Sequence, residues 1–137
     1  MQGDKIYYRK GYKYQLAETY VITTDVLNCF CDTEYLGLNP RGDLTIKEGY
    51  AWDGASGPTL DSASTMRGSL VHDAFYQLMR ESLIPLTYRK HVDDIFRKII
   101  LEDGMFYLRA LLWEEAVHTF GEPAADPKNI KKIISAP

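Results

Sequence analysis

The spacing of apolar residues changes once along this chain, and that change limits the folds it can adopt. Up to about Tyr50 the sequence is rich in tyrosine and β-branched residues and is interrupted by glycines, a composition typical of short strands. From Met66 onward, apolar residues recur at the three- and four-residue spacing of an amphipathic helix. The sequence therefore predicts an α+β fold, with an N-terminal antiparallel sheet or meander followed by three helices that pack on one side of it.

The individual elements follow from local composition and from residues that begin or end helices. Strands are expected over residues 12–16, 19–27, 29–35 and 44–47. Helices are expected over residues 66–79, 87–102 and 105–120. Thr87 is the predicted cap of the second helix. Gly104 and Gly121 are the predicted ends of the second and third.

Length and composition predict one domain that stays inside a cell. A chain of 137 residues, 45% hydrophobic and 26% charged, can bury one core. We expect that domain over residues 1–122 and a loosely ordered tail over 123–137. No segment approaches the roughly 20 apolar residues of a membrane span, and no apolar signal-peptide centre is present at the start. The closely spaced Cys29 and Cys31 indicate reduced thiols, and the net charge of −3 disfavours nucleic acid as a partner.

A glycine-containing loop between the two halves is the first candidate functional feature. It reads WDGASGP over residues 52–58, and Gly54 and Gly57 let the backbone approach a ligand closely. Such a loop can present carbonyl groups to a cation or amides to an anion. A tight turn that joins the sheet to the first helix would use the same glycines, so the loop alone is a weak indication of a site. The candidate binding residues of the loop are Trp52, Asp53 and Ser56.

The helix after the loop carries the run HDAFY, which adds ionisable groups to the candidate site. His72 and Asp73 are adjacent and therefore point about 100° apart, whereas Tyr76 lies one turn after His72 on the same face. Two antiparallel helices would set Asp93 of the second helix against His72. A carboxylate on one imidazole nitrogen leaves the other nitrogen as a base, so His72 and Asp93 are the candidate catalytic pair.

Asp73 and Arg89 complete the candidate site. Asp73 faces away from the His–Asp pair, and we expect it to hold a divalent cation, calcium or magnesium, together with the carbonyls of Gly54 and Gly57. Tyr76 and Arg89 are further candidate binding residues. Each residue alone also has a structural explanation. Arg89 and Asp93, for example, are four residues apart on a helix and could form an ion pair, which contributes little stability when it is exposed.

Other classes of site fit the histidines less well. A metal-dependent phosphohydrolase with an HD pair needs an upstream histidine ligand, and His72 is the first histidine in the chain. His91 and His118 follow at intervals of 19 and 27 residues, which match no zinc-ligand spacing. The sequence also shows no phosphate-binding P-loop, dinucleotide fingerprint or nucleophile elbow.

The order of these motifs resembles a family of small phage and prophage proteins, family 1353 of the domains of unknown function. The likeness spans roughly residues 44–96, and valine at position 92 stands where alanine is usual. It implies a phage or prophage setting, in the host cytoplasm or the virion, more than an activity. The matching residues are Asp53, Gly54, Ala55, Ser56 and Pro58, then His72, Asp73 and Tyr76, then Arg89, Val92, Asp93 and Phe96.

The site also resembles that of secreted phospholipases of the A-two class. The resemblance implies that His72 is the base, Asp93 the carboxylate that orients it, and Asp73 a calcium ligand beside backbone ligands from residues 54–57. This chain has no paired cysteines and no secretion signal, and it has an N-terminal sheet that those enzymes lack. The likeness is therefore one between sites and not between whole proteins.

Three functions remain open from the sequence. The first is a hydrolase of an ester or phosphoester, with water activated by His72 and Asp93 and aided by the cation. The second is a non-catalytic virion component, or a protein that binds a host factor or a phage structural protein, whose tyrosine-rich half supplies the contact surface. The third is a protein that sequesters a small anionic ligand at the loop amides.

Overall fold

Short antiparallel strands occupy the first half of the chain, and helices occupy the second half. The computed structural model describes residues 5–10, 14–54, 63–105 and 107–129. Its strands are β1 (Tyr8–Lys10), β2 (Tyr14–Leu16), β3 (Tyr20–Thr23), β4 (Cys31–Asp32), β5 (Leu36–Leu38), β6 (Asp43–Ile46) and β7 (Ala51–Trp52). Its helices are α1 (Ala63–Arg80), α2 (Arg89–Glu102) and α3 (Tyr107–Ala125), with 3-10 turns at Leu86–Tyr88 and Pro127–Asn129. This order confirms the predicted α+β class.

The predicted single sheet is divided into two small antiparallel sheets. One has the strand order β1-β2-β7, and the other has the order β3-β6-β5-β4. In the larger sheet, Ile46 of β6 lies opposite Tyr20 on one side and opposite Leu36 on the other, and burial alternates along β6 as the period of a strand requires. In the smaller sheet, β7 pairs Trp52 with Tyr14. The chain therefore leaves the strands immediately before the candidate loop.

Two of the predicted strands were wrong in extent. Of the strand expected over residues 19–27, only β3 forms. The chain turns after it, because the Thr24 hydroxyl accepts a hydrogen bond from the backbone N–H of Val26. Of the strand expected over residues 29–35, only β4 forms. The chain then turns into β5, because the Thr33 hydroxyl accepts a hydrogen bond from the backbone N–H of Leu36. Strands β1, β5 and β7 were not predicted; they have two or three residues each, too few to show a period. The predicted strands 12–16 and 44–47 correspond to β2 and β6.

The second helix has the predicted end but not the predicted cap. Its N-cap residue is Tyr88 and not Thr87, and no side chain caps it. At the other end Gly104 has a φ of 99°, which lets the backbone N–H of Met105 donate to the carbonyl oxygen of Ile100. This pattern is the Schellman termination for which glycine is favoured, so the predicted stop at Gly104 is confirmed.

The third helix does not end at Gly121, as predicted, but continues to Ala125. Gly121 lies against the ring of Tyr76, where an added Cβ would be 2.8 Å from Cε2 of that ring. The glycine is thus explained by close packing of α3 on α1 and not by the end of a helix. The predicted tail, 123–137, begins inside α3, where Ala125 is buried; its residues 130–137 lie outside the described residues.

A buried guanidinium ties α1 to the end of α2. The side chain of Arg67 donates hydrogen bonds to the carboxylates of Asp103 and Glu102 and to the hydroxyl of Tyr20. Burying a charge is favourable only when partners of this kind compensate for the lost water. Arg67 lies five residues before His72 on α1, so the same contact fixes how the candidate site on α1 faces α2.

The helices α1 and α2 cross closely at Gly68. A Cβ at this position would lie 2.7 Å from Cγ2 of Ile100 and 3.2 Å from Cδ1 of Phe96. The close approach allows the apolar core to run without interruption from the strands to α1 and α2. A second apolar cluster then joins α2 to α3 through Phe96 and Trp113.

We expect Gly68→Ala to lower the free energy of unfolding by about 1–3 kcal/mol, because overpacking outweighs the roughly 1 kcal/mol that alanine gains in helix propensity. Chemical denaturation measures the difference. Lys98→Ala on the exposed face of α2 is the control, with an expected change within about 0.5 kcal/mol. A Gly68→Ala variant as stable as the parent would contradict the close crossing.

Candidate functional site

The side chain of Asp93 is the centre of the candidate site. It is 1% exposed and belongs to α2, between α1 and α3. Its Oδ1 atom accepts a hydrogen bond of 2.6 Å from the hydroxyl of Tyr76 and lies 2.7 Å from Nε2 of His72, both on α1. Its Oδ2 atom lies 2.9 Å from Nδ1 of His118, on α3. One carboxylate therefore joins all three helices.

This carboxylate is held in its ionised form. Burial acts to raise the pKa of Asp93, but the hydrogen bonds from His72 and Tyr76, with a further one from His118, hold that pKa below its ordinary value. An ionised carboxylate can only accept hydrogen bonds, so His72 carries a proton on Nε2 and His118 carries one on Nδ1. In the neutral rings, the nitrogens left to accept a proton are Nδ1 of His72 and Nε2 of His118.

Tyr76 acts as a neutral donor beside His72. Burial and the hydrogen bond to Asp93 raise the pKa of Tyr76 far above its ordinary value, so its hydroxyl keeps its proton. The rings of Tyr76 and His72 have centroids 4.0 Å apart, as expected for residues one helical turn apart. The guanidinium of Arg89 donates to the Tyr76 oxygen at 3.4 Å and also to the backbone carbonyl oxygen of His118. Arg89 thus supports the site from outside and does not touch the carboxylate.

The ring of His72 is nearly closed off from solvent. It is 6% exposed, with Tyr76 on one side and the ring of Phe96 edge-on at 5.3 Å on another. The aromatic neighbours fix its orientation toward Asp93.

The described part of the candidate loop is joined to α1 through Trp52. Trp52, predicted as a binding residue, lies in β7, is buried, and donates from Nε1 to the hydroxyl of Ser69 at 3.1 Å. This bond fastens β7 to α1. Asp53 is exposed, and Gly54 has a φ of 82°, the left-handed region that favours glycine. The predicted residues Ser56 and Gly57 lie outside the described residues.

Asp73 lies on a different side of α1 from the carboxylate cluster. Burial raises the pKa of Tyr50 far above its ordinary value, and the negative charges of Asp73 and Asp53 add to that effect. Tyr50 precedes β7, so the charge of Asp73 acts on the segment that leads into the loop.

Within the described ranges, no group of three or more histidine, cysteine, aspartate or glutamate side chains is placed to hold a metal ion. The cation predicted at Asp73 would take its other ligands from backbone carbonyls of residues 54–57, most of which lie outside those ranges. Carbonyl and carboxylate oxygens are the donors that calcium and magnesium prefer. The residue types therefore fit the ion, and the cation site stays a prediction.

His118 was not predicted as part of the site. The third helix was expected to end two residues after His118, but α3 continues to Ala125 and carries this residue in its interior. Gly121, three residues later on the same face of α3, packs against Tyr76. A glycine inside an apolar helical pattern is the one signal in the sequence that marks this face as a close helix contact.

Comparison of the chain with protein-family models, with curated proteins and with solved structures found no match. The resemblances to the phage family and to secreted phospholipases therefore stay predictions that rest on motifs alone. None of the helices in the described ranges has the length and apolar character needed to cross a membrane.

The stability that Asp93 contributes should depend on pH in a defined direction. Because its pKa is lowered on folding, the contribution is complete above the unfolded pKa of about 3.9 and is lost as the pH falls through the folded value. We expect Asp93→Asn to lower the free energy of unfolding by about 3 kcal/mol at neutral pH. The difference between the parent and the variant should shrink as the pH falls below the pKa of aspartate in the unfolded chain.

Chemical denaturation of the parent and of Asp93→Asn across this pH range measures the difference. Asp53→Asn, on an exposed side chain, is the control and should change stability little at any pH. A loss in Asp93→Asn that is the same at every pH would mean that the carboxylate is not ionised in the folded protein.

Proposed function

We propose that this protein is a hydrolase of an ester or a phosphoester, in which His72 activates water and Asp93 orients the His72 ring. The observation that carries the proposal is the 2.7 Å contact between Nε2 of His72 and a carboxylate oxygen of the buried Asp93. A carboxylate on one imidazole nitrogen fixes the tautomer and directs the other nitrogen to take a proton.

The proposed step uses Nδ1 of His72. The oxygen of a water molecule bonds to the ester carbon or to phosphorus while its proton moves to Nδ1, and the proton then passes to the leaving oxygen as the old bond breaks. The positive charge that develops on the ring lies against the buried carboxylate of Asp93, where a low local dielectric strengthens the attraction. Tyr76 keeps the carboxylate in place throughout.

A divalent cation, calcium or magnesium, is the proposed cofactor. It would polarise the carbonyl or phosphoryl oxygen under attack and would be held by Asp73 and by backbone carbonyls of the loop, including Gly54. The support for this part is the glycine-containing loop itself, together with the charge of Asp73, which acts on Tyr50 at the segment that leads into the loop. A phage or prophage setting, in the host cytoplasm or the virion, is supported by the motif resemblance alone.

A non-catalytic role is the second candidate, and the burial of His72 favours it. The ring is enclosed by two aromatic neighbours, and the Asp93 carboxylate has partners on two other helices, so the cluster would also serve as a lock between helices. Function would then lie on the strand half, where Phe30 is 74% exposed. Exposed aromatic side chains suit contact with a phage structural protein or a host factor.

We expect His72→Asn and Asp93→Asn each to lower hydrolytic turnover by at least about 100-fold, the usual contribution of a general base. Turnover is measured on long-chain acyl esters, phosphodiesters and phosphomonoesters, with the folded fraction of each variant checked by circular dichroism. His91→Asn, which removes a histidine outside the cluster, is the control and should keep the parent's turnover. A folded His72→Asn variant as active as the parent would overturn the proposal, as would a parent with no turnover.

We expect calcium or magnesium to raise the melting temperature of the parent, because an ion bound only by the folded state adds roughly 2.7 kcal/mol at a hundredfold excess over its Kd. Asp73→Asn should lose that rise. Thermal-shift titration with calcium, magnesium, manganese and zinc measures it, and Glu115→Gln on the exposed surface of α3 is the matched control. An equal rise in Asp73→Asn, or none in the parent, would contradict a cation site at Asp73.

A further inference from the structure

The two oxygens of the Asp93 carboxylate face different surroundings. On the Oδ1 side lie His72 and Tyr76, both buried. On the Oδ2 side lies His118, whose side chain is 49% exposed. The proposed hydrolytic step uses only His72, on the buried Oδ1 side, which we call the closed side of Asp93; the Oδ2 side is the open side.

We propose that His118 is a second general base of this protein, oriented by Asp93 and open to solvent. The Nδ1 atom of His118 donates to the carboxylate, which leaves Nε2, the ring nitrogen farther from the backbone, to accept a proton. An imidazole held by a buried carboxylate, with its other nitrogen accessible, has the geometry that general-base catalysis requires. The inference rests on the proposed hydrolase and deepens it by adding a base on the exposed side of the Asp93 carboxylate.

Arg89 and Glu122 hold the turn of α3 that carries His118. Arg89 donates to the backbone carbonyl oxygen of His118, and its guanidinium lies 3.7 Å from the carboxylate of Glu122. The same guanidinium reaches Tyr76 on α1. Arg89 is therefore a positioning residue, which fixes α3 against α2 so that the ring of His118 meets Asp93.

The chemical step balances without any co-reactant other than water. The oxygen of water forms a bond to the acyl carbon of an ester while its proton moves to Nε2 of His118. The bond from that carbon to the leaving oxygen then breaks. An alkoxide leaving group takes the proton from the ring, whereas a stable phenolate departs as the anion and the ring releases its proton to solvent. Both routes return His118 to its neutral form.

His91 provides a matched comparison in the same chain. Its side chain is 39% exposed, and its Nε2 lies 2.7 Å from Oδ1 of Asp25. The carboxylate of Asp25 is itself exposed, so solvent screens it, and the nitrogen left over is Nδ1, beside the histidine's own backbone. Exposure is therefore similar in His91 and His118, while the burial of the carboxylate and the identity of the accessible nitrogen differ.

The test uses p-nitrophenyl acetate, an activated ester that an accessible imidazole can hydrolyse without a specific substrate pocket, and it is run in H2O and in D2O. General-base catalysis moves a proton in the rate-limiting step and is slower in D2O, whereas direct attack by the ring nitrogen moves none and is not. We expect the rate that depends on His118 to be lower in D2O, and equal rates in the two solvents would overturn the assignment of His118 as a general base. The rate of p-nitrophenolate release is measured near neutral pH for the parent, His118→Asn and His91→Asn. We expect His118→Asn to lower the protein-dependent rate at least about tenfold, and His91→Asn to keep it within about twofold. Equal rates in the two variants would overturn the inference.

A second measurement does not depend on catalysis. Diethyl pyrocarbonate modifies accessible, unprotonated imidazole nitrogens, and mass spectrometry of peptides locates each modified histidine. We expect His118 to be modified first, His91 more slowly and His72 last. Modification of His72 ahead of His118 would overturn the inference even if the activated ester is hydrolysed.

The two proposals fail in different ways. If no ester or phosphoester of the substrate panel is turned over but release of p-nitrophenolate depends on His118, the step at His72 fails and the base at His118 stands. If turnover of the panel depends on His72 while p-nitrophenolate release is unchanged in His118→Asn, only the inference about His118 fails.

Discussion

The carboxylate of Asp93 is the group on which the arrangement of the three helices depends. Moving an ionised carboxylate out of water costs several kcal/mol unless donors replace the lost hydration. Here the donors come from α1 and α3 while the carboxylate comes from α2, so the helices pack without an uncompensated charge only when all three meet at one point. The contacts of Arg67 at the far end of α2 impose the same alignment on α1. Helix packing and the geometry of the site therefore have a common cause.

The cost of burying the Asp93 carboxylate also bears on whether the cluster around it is a functional site or only a contact that joins the helices. Apolar side chains of similar volume often replace a buried ion pair with no loss of stability, and sometimes with a gain. An ionised carboxylate with two imidazoles and a phenol is thus a costly way to join helices when Phe96 and Trp113 already supply apolar contacts nearby. The same set of groups is what proton transfer needs, and perturbed ionisable groups are common at functional sites. This comparison of costs supports the proposed hydrolase over a role in helix packing alone.

Local periodicity accounts for the part of this arrangement that could be predicted from the sequence. The four-residue interval between His72 and Tyr76 places both on one face of a helix, and a short connection to the next helix brings Asp93 to that face. His118 could not be placed in this way, because its position depends on how α3 rotates against α1. That rotation is set by the contact of Gly121 with Tyr76, between residues far apart in the chain. The strand β7 escaped prediction for a related reason, since a pair of residues shows no period and only its pairing partner defines it.

Because they share one carboxylate, the two imidazoles cannot act independently. A proton taken up by His118 places a positive charge against Oδ2 of Asp93, and the carboxylate then has less negative charge to offer a proton on His72 through Oδ1. The closed side and the open side of Asp93 are therefore linked, since the two imidazoles donate to the two oxygens of one buried carboxylate. In the proposed hydrolase, that carboxylate is the common support for proton transfer at either ring.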